Sequence, residues 1–121
     1  MEDKKKLVIM ITRGFDDERS SVAWSVANGA INSGLDLTIF LTSSGIDWAR
    51  KGAADTAQLN PFDPPMMEMI QKVMDNGKVL ACPPCAKVRG LSEADLLDGV
   101  IVTGSGAMHE EIKQGAATLC F

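Results

Sequence analysis

The fold is decided by the stretch Lys78-Val79-Leu80-Ala81-Cys82-Pro83-Pro84-Cys85, in which a short apolar segment runs directly into two prolines. Residues 78–81 predict a buried strand. Proline is tolerated in the first helical turn, where the backbone N–H groups have no partner, so Pro83 predicts the start of a helix. We expect Gly90 to end that helix. The stretch therefore predicts a strand joined to a helix by a very tight turn.

Four further apolar runs predict strands on either side of this stretch: Leu7–Ile11, Leu35–Leu41, Gly99–Thr103 and Ala117–Phe121. The segments between them predict helices. Strands that alternate with helices indicate a parallel sheet with right-handed crossovers. We therefore predict an α/β fold: one three-layer domain over residues 1–121, with a five-stranded, mostly parallel sheet and helices on both faces.

The helices are predicted from apolar residues at helical spacing. The first is expected to bury Val22, Val26 and Ala30 together with Ala23, Ala27 and Ile31. A second is predicted to begin at Asp63-Pro64-Pro65, with Asp63 as its cap, and to bury a methionine-rich stripe. Trp24 and Trp48 fall outside the main stripes, and we expect them to form contact surface.

The composition excludes several classes of function. The formal net charge of -4 argues against nucleic acid and against anionic membranes, and no apolar run approaches the length of a membrane-spanning helix. Three cysteines and one histidine indicate neither a disulfide framework nor a zinc site. We expect a cytoplasmic protein without metal or cofactor, in which Cys120 is an inert core residue and His109 lies on a solvated helix face.

In parallel α/β sheets, ligands collect at the carboxyl ends of the strands. Four loops leave those ends: Thr12–Ser20, Thr42–Gly45, Ala81–Cys85 and Thr103–Gly106. The first could hold a flavin phosphate by its position, but Asp16, Asp17 and Glu18 would repel it. The turn Gly104-Ser105-Gly106 lacks the third glycine of a dinucleotide fingerprint. The third loop, with its cysteine pair, is the strongest candidate site.

The chemistry of that loop follows from its predicted geometry. If Pro83 is the first helical residue, Cys82 is the N-cap and can accept the Cys85 N–H, and the helix dipole favours negative charge there. Lys87 and Arg89 add positive charge. These effects predict a lowered pKa and a nucleophilic thiolate at Cys82, with Cys85 placed to attack a sulfur bound to it. The competing interpretation is two structural cysteines packed under the sheet.

The segment from Val79 to Gly90, Val-Leu-Ala-Cys-Pro-Pro-Cys-Ala-Lys-Val-Arg-Gly, resembles the cysteine segment of the DsrE/DsrF-like family. The resemblance extends at lower specificity to Thr12-Arg13-Gly14, Gly34–Leu41 and Gly45-Ile46. It implies a flavodoxin-like sheet, assembly as a homotrimer or hexamer, and a cysteine eight residues before the glycine that carries sulfur as a persulfide. That cysteine is Cys82 here. Other members have a cysteine five residues before the glycine, which is Cys85, and this chain has both.

Two classes of function remain open from the sequence. The first is a persulfide carrier, a possible sulfurtransferase, that exchanges sulfur with cysteine thiols of donor and acceptor proteins; a thiol–disulfide protein that uses Cys82 and Cys85 is its variant. The second is a small-molecule or protein-binding subunit with incidental cysteines. For the first class we predict Cys82 and Cys85 as the reacting residues. The residues predicted to bind around them are Arg13, Gly14, Ser44, Gly45, Lys87 and Arg89.

Overall fold

A computed structural model describes residues 4–121. Its strands are β1 (Lys6–Ile11), β2 (Asp36–Leu41), β3 (Lys78–Ala81), β4 (Ile101–Val102) and β5 (Ala117–Cys120). Its α-helices are α1 (Arg19–Asn32), α2 (Met66–Asn76), α3 (Pro83–Val88) and α4 (Ser105–Lys113). Two 3₁₀ helices span Ser43–Ala49 and Glu93–Asp95.

The five strands form one sheet in the order β4-β3-β2-β1-β5, and each neighbouring pair is parallel. The predicted fold is confirmed: an α/β domain with a parallel five-stranded sheet and helices on both of its faces. The chain steps in one direction from β1 to β4, so right-handed crossovers put α1, α2 and α3 on one face. It then returns across the sheet to β5, which puts α4 on the other.

The two faces of the sheet are covered unequally. On the α1 side, alternate strand residues such as Ile9, Ile39 and Val79 join one buried core with α1 and α2. On the opposite side, Val8 and Met10 line a cavity of about 320 Å³ with Met108 and Ile112 of α4. Because a strand points successive side chains to opposite faces, the continuous apolar runs supply both sides of the sheet.

Several sequence-based expectations about packing are wrong. Trp24 and Trp48 are both 0% exposed, whereas Val22 is 47% exposed. Helix α1 turns Ala23, Trp24 and Ala27 inward, so the buried stripe includes the tryptophan and leaves out Val22. The Trp48 indole donates a hydrogen bond to the Arg13 carbonyl, which allows its burial beneath the site loops.

Two further corrections concern element ends. Helix α2 begins at Met66, with Pro65 rather than Asp63 at the N-cap, because residues 61–65 form a turn and an extended lead-in. Cys120 is exposed rather than buried, because β5 lies at the edge of the described sheet, next to β1. Within residues 4–121, none of the helices combines the length and the apolar character needed to cross a bilayer.

Candidate functional site

The candidate site lies where β2 and β3 end side by side. Leu41 and Ala81 are the last residues of the two strands and are register partners. The Cys82 N–H donates to the Leu41 carbonyl, which continues the ladder one residue beyond β3. The 3₁₀ helix Ser43–Ala49 and helix α3 therefore leave the sheet next to each other, and each brings its first turn to the same place.

Three atoms define the geometry of this site. The Sγ atoms of Cys82 and Cys85 lie 3.0 Å apart, and both thiols are free and half-buried. The Ser43 backbone N–H donates to the Cys85 Sγ at 3.1 Å. The structure thus brings the two predicted cysteines together and adds a main-chain donor from a different element. That donor is directed at Cys85 and not at Cys82.

The pKa of Cys82 is shifted upward, whereas the sequence predicted a downward shift. Burial, followed by the hydrogen bond with the neighbouring Cys85 thiol, raises the pKa of Cys82. The Cys85 backbone N–H acts in the lowering direction, but Cys82 makes no side-chain capping hydrogen bond. The prediction failed because it treated the helix start as exposed to water and left out the second sulfur. The raised pKa disfavours the thiolate form of Cys82 relative to an ordinary cysteine.

Of the two predicted basic residues, Arg89 at the end of α3 contacts a carbonyl and a carboxylate. The Arg89 guanidinium donates to the Cys85 carbonyl at 3.1 Å and lies 3.9 Å from the Asp47 carboxylate. It therefore ties the end of α3 to the 3₁₀ helix. Lys87 lies on the exposed side of α3. A binding role for these two residues stays a prediction.

The predicted glycines serve the close approach of the loops. A Cβ on Gly45 would lie 2.1 Å from the Ile11 carbonyl oxygen, and one on Gly14 would lie 2.9 Å from the Ser44 carbonyl oxygen. The loops after β1 and β2 can interlock only because these positions lack side chains. Arg13 takes part through its carbonyl, and its guanidinium lies 3.2 Å from the Asp17 carboxylate. Ligand binding by Arg13, Gly14, Ser44 and Gly45 stays a prediction.

Ser43 is the residue that sequence reasoning missed. Its φ is 50°, and it is the one non-glycine residue with positive φ among residues 4–121. Serine is not a residue that favours this conformation, so no local signal marks it. Strained backbone conformations of this kind occur disproportionately at functional sites.

Neither of two other concave regions includes the cysteine pair. A groove of about 920 Å³ runs between α1 and α2 and is lined mainly by polar residues, among them Asn28, Asn32 and Lys72. The cavity under α4 is lined mainly by apolar residues, together with Thr118 and Cys120. Within residues 4–121, no three His, Cys, Asp or Glu side chains gather in a metal-binding arrangement.

The fold and the site define a class: a parallel α/β domain with a dithiol at the carboxyl edge of its sheet. The model of the DsrE/DsrF-like family matches residues 4–121. The chain belongs to this family. Two relatives, both uncharacterized proteins, agree with that assignment. One, from Methanopyrus kandleri, is 34% identical over 95 residues, which cover 77% of this chain and 74% of the relative. The other, from Methanocaldococcus jannaschii, is 33% identical over 110 residues, which cover 88% of this chain and 89% of the relative.

Solved structures share the fold. The crystal structure of the ychN protein from E. coli superposes with a TM-score of 0.78 at 24% identity and covers 97% of this chain and 99% of that one. A protein of unknown function from Methanobacterium thermoautotrophicum superposes with a TM-score of 0.72 at 18% identity. The match covers 98% of this chain and 100% of that one. At these identities the similarity establishes the fold alone.

Proposed function

We propose that this protein is a persulfide sulfur carrier whose working group is the dithiol Cys82/Cys85. One observation carries the proposal: two half-buried thiols lie 3.0 Å apart at the carboxyl edge of the sheet, and one of them accepts a main-chain N–H. Membership in a family related to sulfur relay supports it.

The reaction is a two-step thiol exchange. A cysteine thiolate of the dithiol attacks the terminal sulfur of a donor persulfide, and the S–S bond of the donor breaks. The donor thiolate leaves, and the protein cysteine becomes a persulfide. An acceptor thiolate then attacks the outer sulfur, and the protein thiolate leaves. Each step moves one sulfur atom and consumes no external electrons.

The partners in this proposal are proteins or small molecules that present cysteine thiols, in the cytoplasm. The site suits such partners because Ser43 and Pro84 beside it are exposed. Val88 on α3, 79% exposed, offers an apolar contact near the dithiol. We also propose association into a homotrimer or hexamer. Size-exclusion chromatography with light scattering tests it, because a species of only 12.9 kDa would contradict it.

The same short distance favours a second candidate, a thiol–disulfide protein. Two thiols in contact can close a disulfide when an oxidant removes two electrons, and a dithiol reductant can reopen it. A protein of this kind would form the disulfide with an oxidised thiol partner and would retain no sulfur from a persulfide donor.

Mass spectrometry after incubation with inorganic polysulfide separates the candidates. We expect the wild-type protein to gain the mass of one sulfur atom and to lose it on addition of a free thiol. The matched control is the double variant Cys82→Ser/Cys85→Ser, which keeps the exposed Cys120 and should gain far less sulfur than the wild type. If the wild-type protein gains no sulfur but forms the Cys82–Cys85 disulfide, the thiol–disulfide candidate replaces the carrier. Equal gain by the double variant would show that the dithiol is not the site.

A further inference from the structure

We propose that Cys85, rather than Cys82, bears the transferred sulfur, that Ser43 is its positioning residue, and that Cys82 is the second thiol that discharges it. This inference rests on the proposed carrier function and goes beyond it by assigning separate roles to the two cysteines. It departs from the sequence-based expectation, which placed the persulfide on Cys82.

The first step of the argument is the distribution of donors around the two sulfurs. The Cys85 Sγ lies 3.1 Å from the Ser43 N–H and 3.0 Å from the Cys82 Sγ. A negative charge on Cys85 would therefore accept two hydrogen bonds, one from the backbone and one from the Cys82 thiol. A charge on Cys82 would accept from the Cys85 thiol and would be favoured by the Cys85 backbone N–H, but that N–H makes no capping hydrogen bond, and the Ser43 N–H is directed at Cys85. Hydrogen bonds to an ionised group are roughly twice as strong as neutral ones.

The second step is the backbone of Ser43. With φ of 50°, this residue is held in the left-handed region, which costs an L-residue free energy. The conformation directs the N–H across to α3, which is 42 residues away in the chain. A main-chain donor aimed in advance at a sulfur is an arrangement that stabilises developing negative charge.

The third step is the state of Cys82. Burial and the adjacent Cys85 raise the pKa of Cys82, which favours its protonated form over the thiolate. In the structure the Cys85 thiol donates to the Cys82 Sγ, and once Cys85 is ionised the protonated Cys82 thiol can donate in return. A protonated Cys82 is also a poor nucleophile. It therefore leaves a persulfide on Cys85 intact long enough for transfer.

When Cys82 loses its proton, a different outcome follows. Its thiolate attacks the inner sulfur of the Cys85 persulfide, the S–S bond to the outer sulfur breaks, and hydrosulfide leaves. A Cys82–Cys85 disulfide forms, so the pair of cysteines is oxidised by two electrons and the outer sulfur is reduced to sulfide. An external dithiol reductant must then reopen the disulfide before the next cycle.

Loading of the single variants tests the assignment, with inorganic polysulfide as the probe and peptide mapping to locate the added sulfur. We expect Cys82→Ser to load sulfur on Cys85 and to retain it longer than the wild type. Cys85→Ser should load at least about tenfold more slowly, because the residual thiol lacks the Ser43 donor. Sulfur found on Cys82 in the wild type, or equal loading of both variants, would overturn the assignment and leave the carrier function standing. Absence of loading in the wild type would remove the carrier function and this assignment with it.

A second experiment tests Ser43 through a readout that a purely structural role would not change. In a Cys82→Ser/Cys120→Ser background, the rate of Cys85 alkylation by iodoacetamide is followed from neutral to alkaline pH. Ser43→Val disfavours positive φ and should slow alkylation about tenfold at neutral pH, with the rates converging at alkaline pH. Ser43→Asn tolerates positive φ and should match the parent. Identical profiles for the Val and Asn variants would overturn the role of Ser43.

Discussion

The two ends of the sheet are held together by different means. At the amino end, Lys6 at the start of β1 pairs with Asp36 and Glu111, and Lys78 at the start of β3 pairs with Glu111. At the carboxyl end, the loops are joined by backbone approaches at Gly14 and Gly45. The nearby arginine charges there face their own carboxylates, as in the pairs Arg13–Asp17 and Arg89–Asp47.

The difference matters for the dithiol, because the arginines near it pair with carboxylates and not with the sulfurs. A cation against the dithiol would stabilise any thiolate, whichever cysteine carried it. A single N–H donor instead distinguishes two sulfurs only 3.0 Å apart. Charge pairs can fasten the amino end without interfering with this selectivity, because they lie a full strand length away.

The largest change in the free energy of unfolding is expected at Gly45, where the loops at the carboxyl end of the sheet are packed most closely. Gly45→Ala puts a methyl group 2.1 Å from the Ile11 carbonyl oxygen, a backbone atom that cannot move aside. We expect the free energy of unfolding to fall by about 3 kcal/mol, measured by chemical denaturation. The matched control is Gly106→Ala, where the new methyl group meets nothing within 4 Å beyond its chain neighbours and its own helix backbone. In helix α4 this change should stabilise by about 0.5–1 kcal/mol. Equal losses for both variants would mean that the interlocked loops do not hold this end.

The next effect concerns the dithiol and depends on pH. Because the pKa of Cys82 is raised, its thiolate fraction at neutral pH is small and increases about tenfold for each unit of pH below that pKa. Release of sulfide from the loaded wild-type protein should increase by the same factor, measured as free sulfide over time. Cys82→Ser serves as the control and should lack this dependence. If the wild type and Cys82→Ser release sulfide with the same pH profile, Cys82 is not the discharging thiol.

A smaller change in the free energy of unfolding is expected from the ion pairs at the amino end of the sheet. Hydrogen bonds from Lys78 and Lys6 lower the pKa of Glu111, which is 12% exposed. Glu111→Gln should lower the free energy of unfolding by about 1 kcal/mol at neutral pH. Since the folded pKa lies below the ordinary 4.5, the advantage of the wild type should persist above that pH and disappear as the pH falls through the folded value.

The control for that experiment is Glu110→Gln, whose carboxylate pairs with Lys113 on the exposed side of α4. It should change stability little at any pH. If the Glu111 and Glu110 variants behave alike, the ion pairs at the amino end contribute no more than an ordinary surface pair.

The smallest effect tests the strain at Ser43. Ser43→Gly removes the cost of the left-handed conformation, about 1–2 kcal/mol, and adds a cost of roughly 0.5–1 kcal/mol in chain entropy. We expect a net gain of about 0.5 kcal/mol in thermal or chemical unfolding. Ser44→Gly, one residue later in the 3₁₀ helix and without positive φ, should lose about as much. A loss in both variants would show that Ser43 is not strained.

The architecture could be predicted from the sequence because each part of it has a local cause. The run Leu7–Ile11 forms a strand buried on both faces, and the prolines at 83 and 84 start a helix as their geometry requires. The burial of Trp24 could not be predicted in the same way. It depends on where α1 begins and on which face then meets α2, and both are set by tertiary packing.

The candidate site could likewise be predicted only in part. The position of Cys82 and Cys85 at the carboxyl edge follows from the strand-to-helix turn, which is visible in the sequence. The environment of each sulfur does not, because the deciding donor comes from Ser43 on another element. Local helix-capping rules therefore placed Cys82 correctly at the N-cap of α3 but gave the wrong direction for its pKa shift.

The strand order has a consequence for how the chain reaches its native state. Strand β5 pairs with β1, and the Thr12 hydroxyl donates to the Phe121 carbonyl across a separation of 109 residues. Closing so long a loop is entropically costly, and contacts of this kind raise the contact order and slow folding. Strands β1, β2 and β3 can assemble first from nearer segments. We expect β5 to dock last, and its amides to exchange with solvent through local openings while the central strands remain protected.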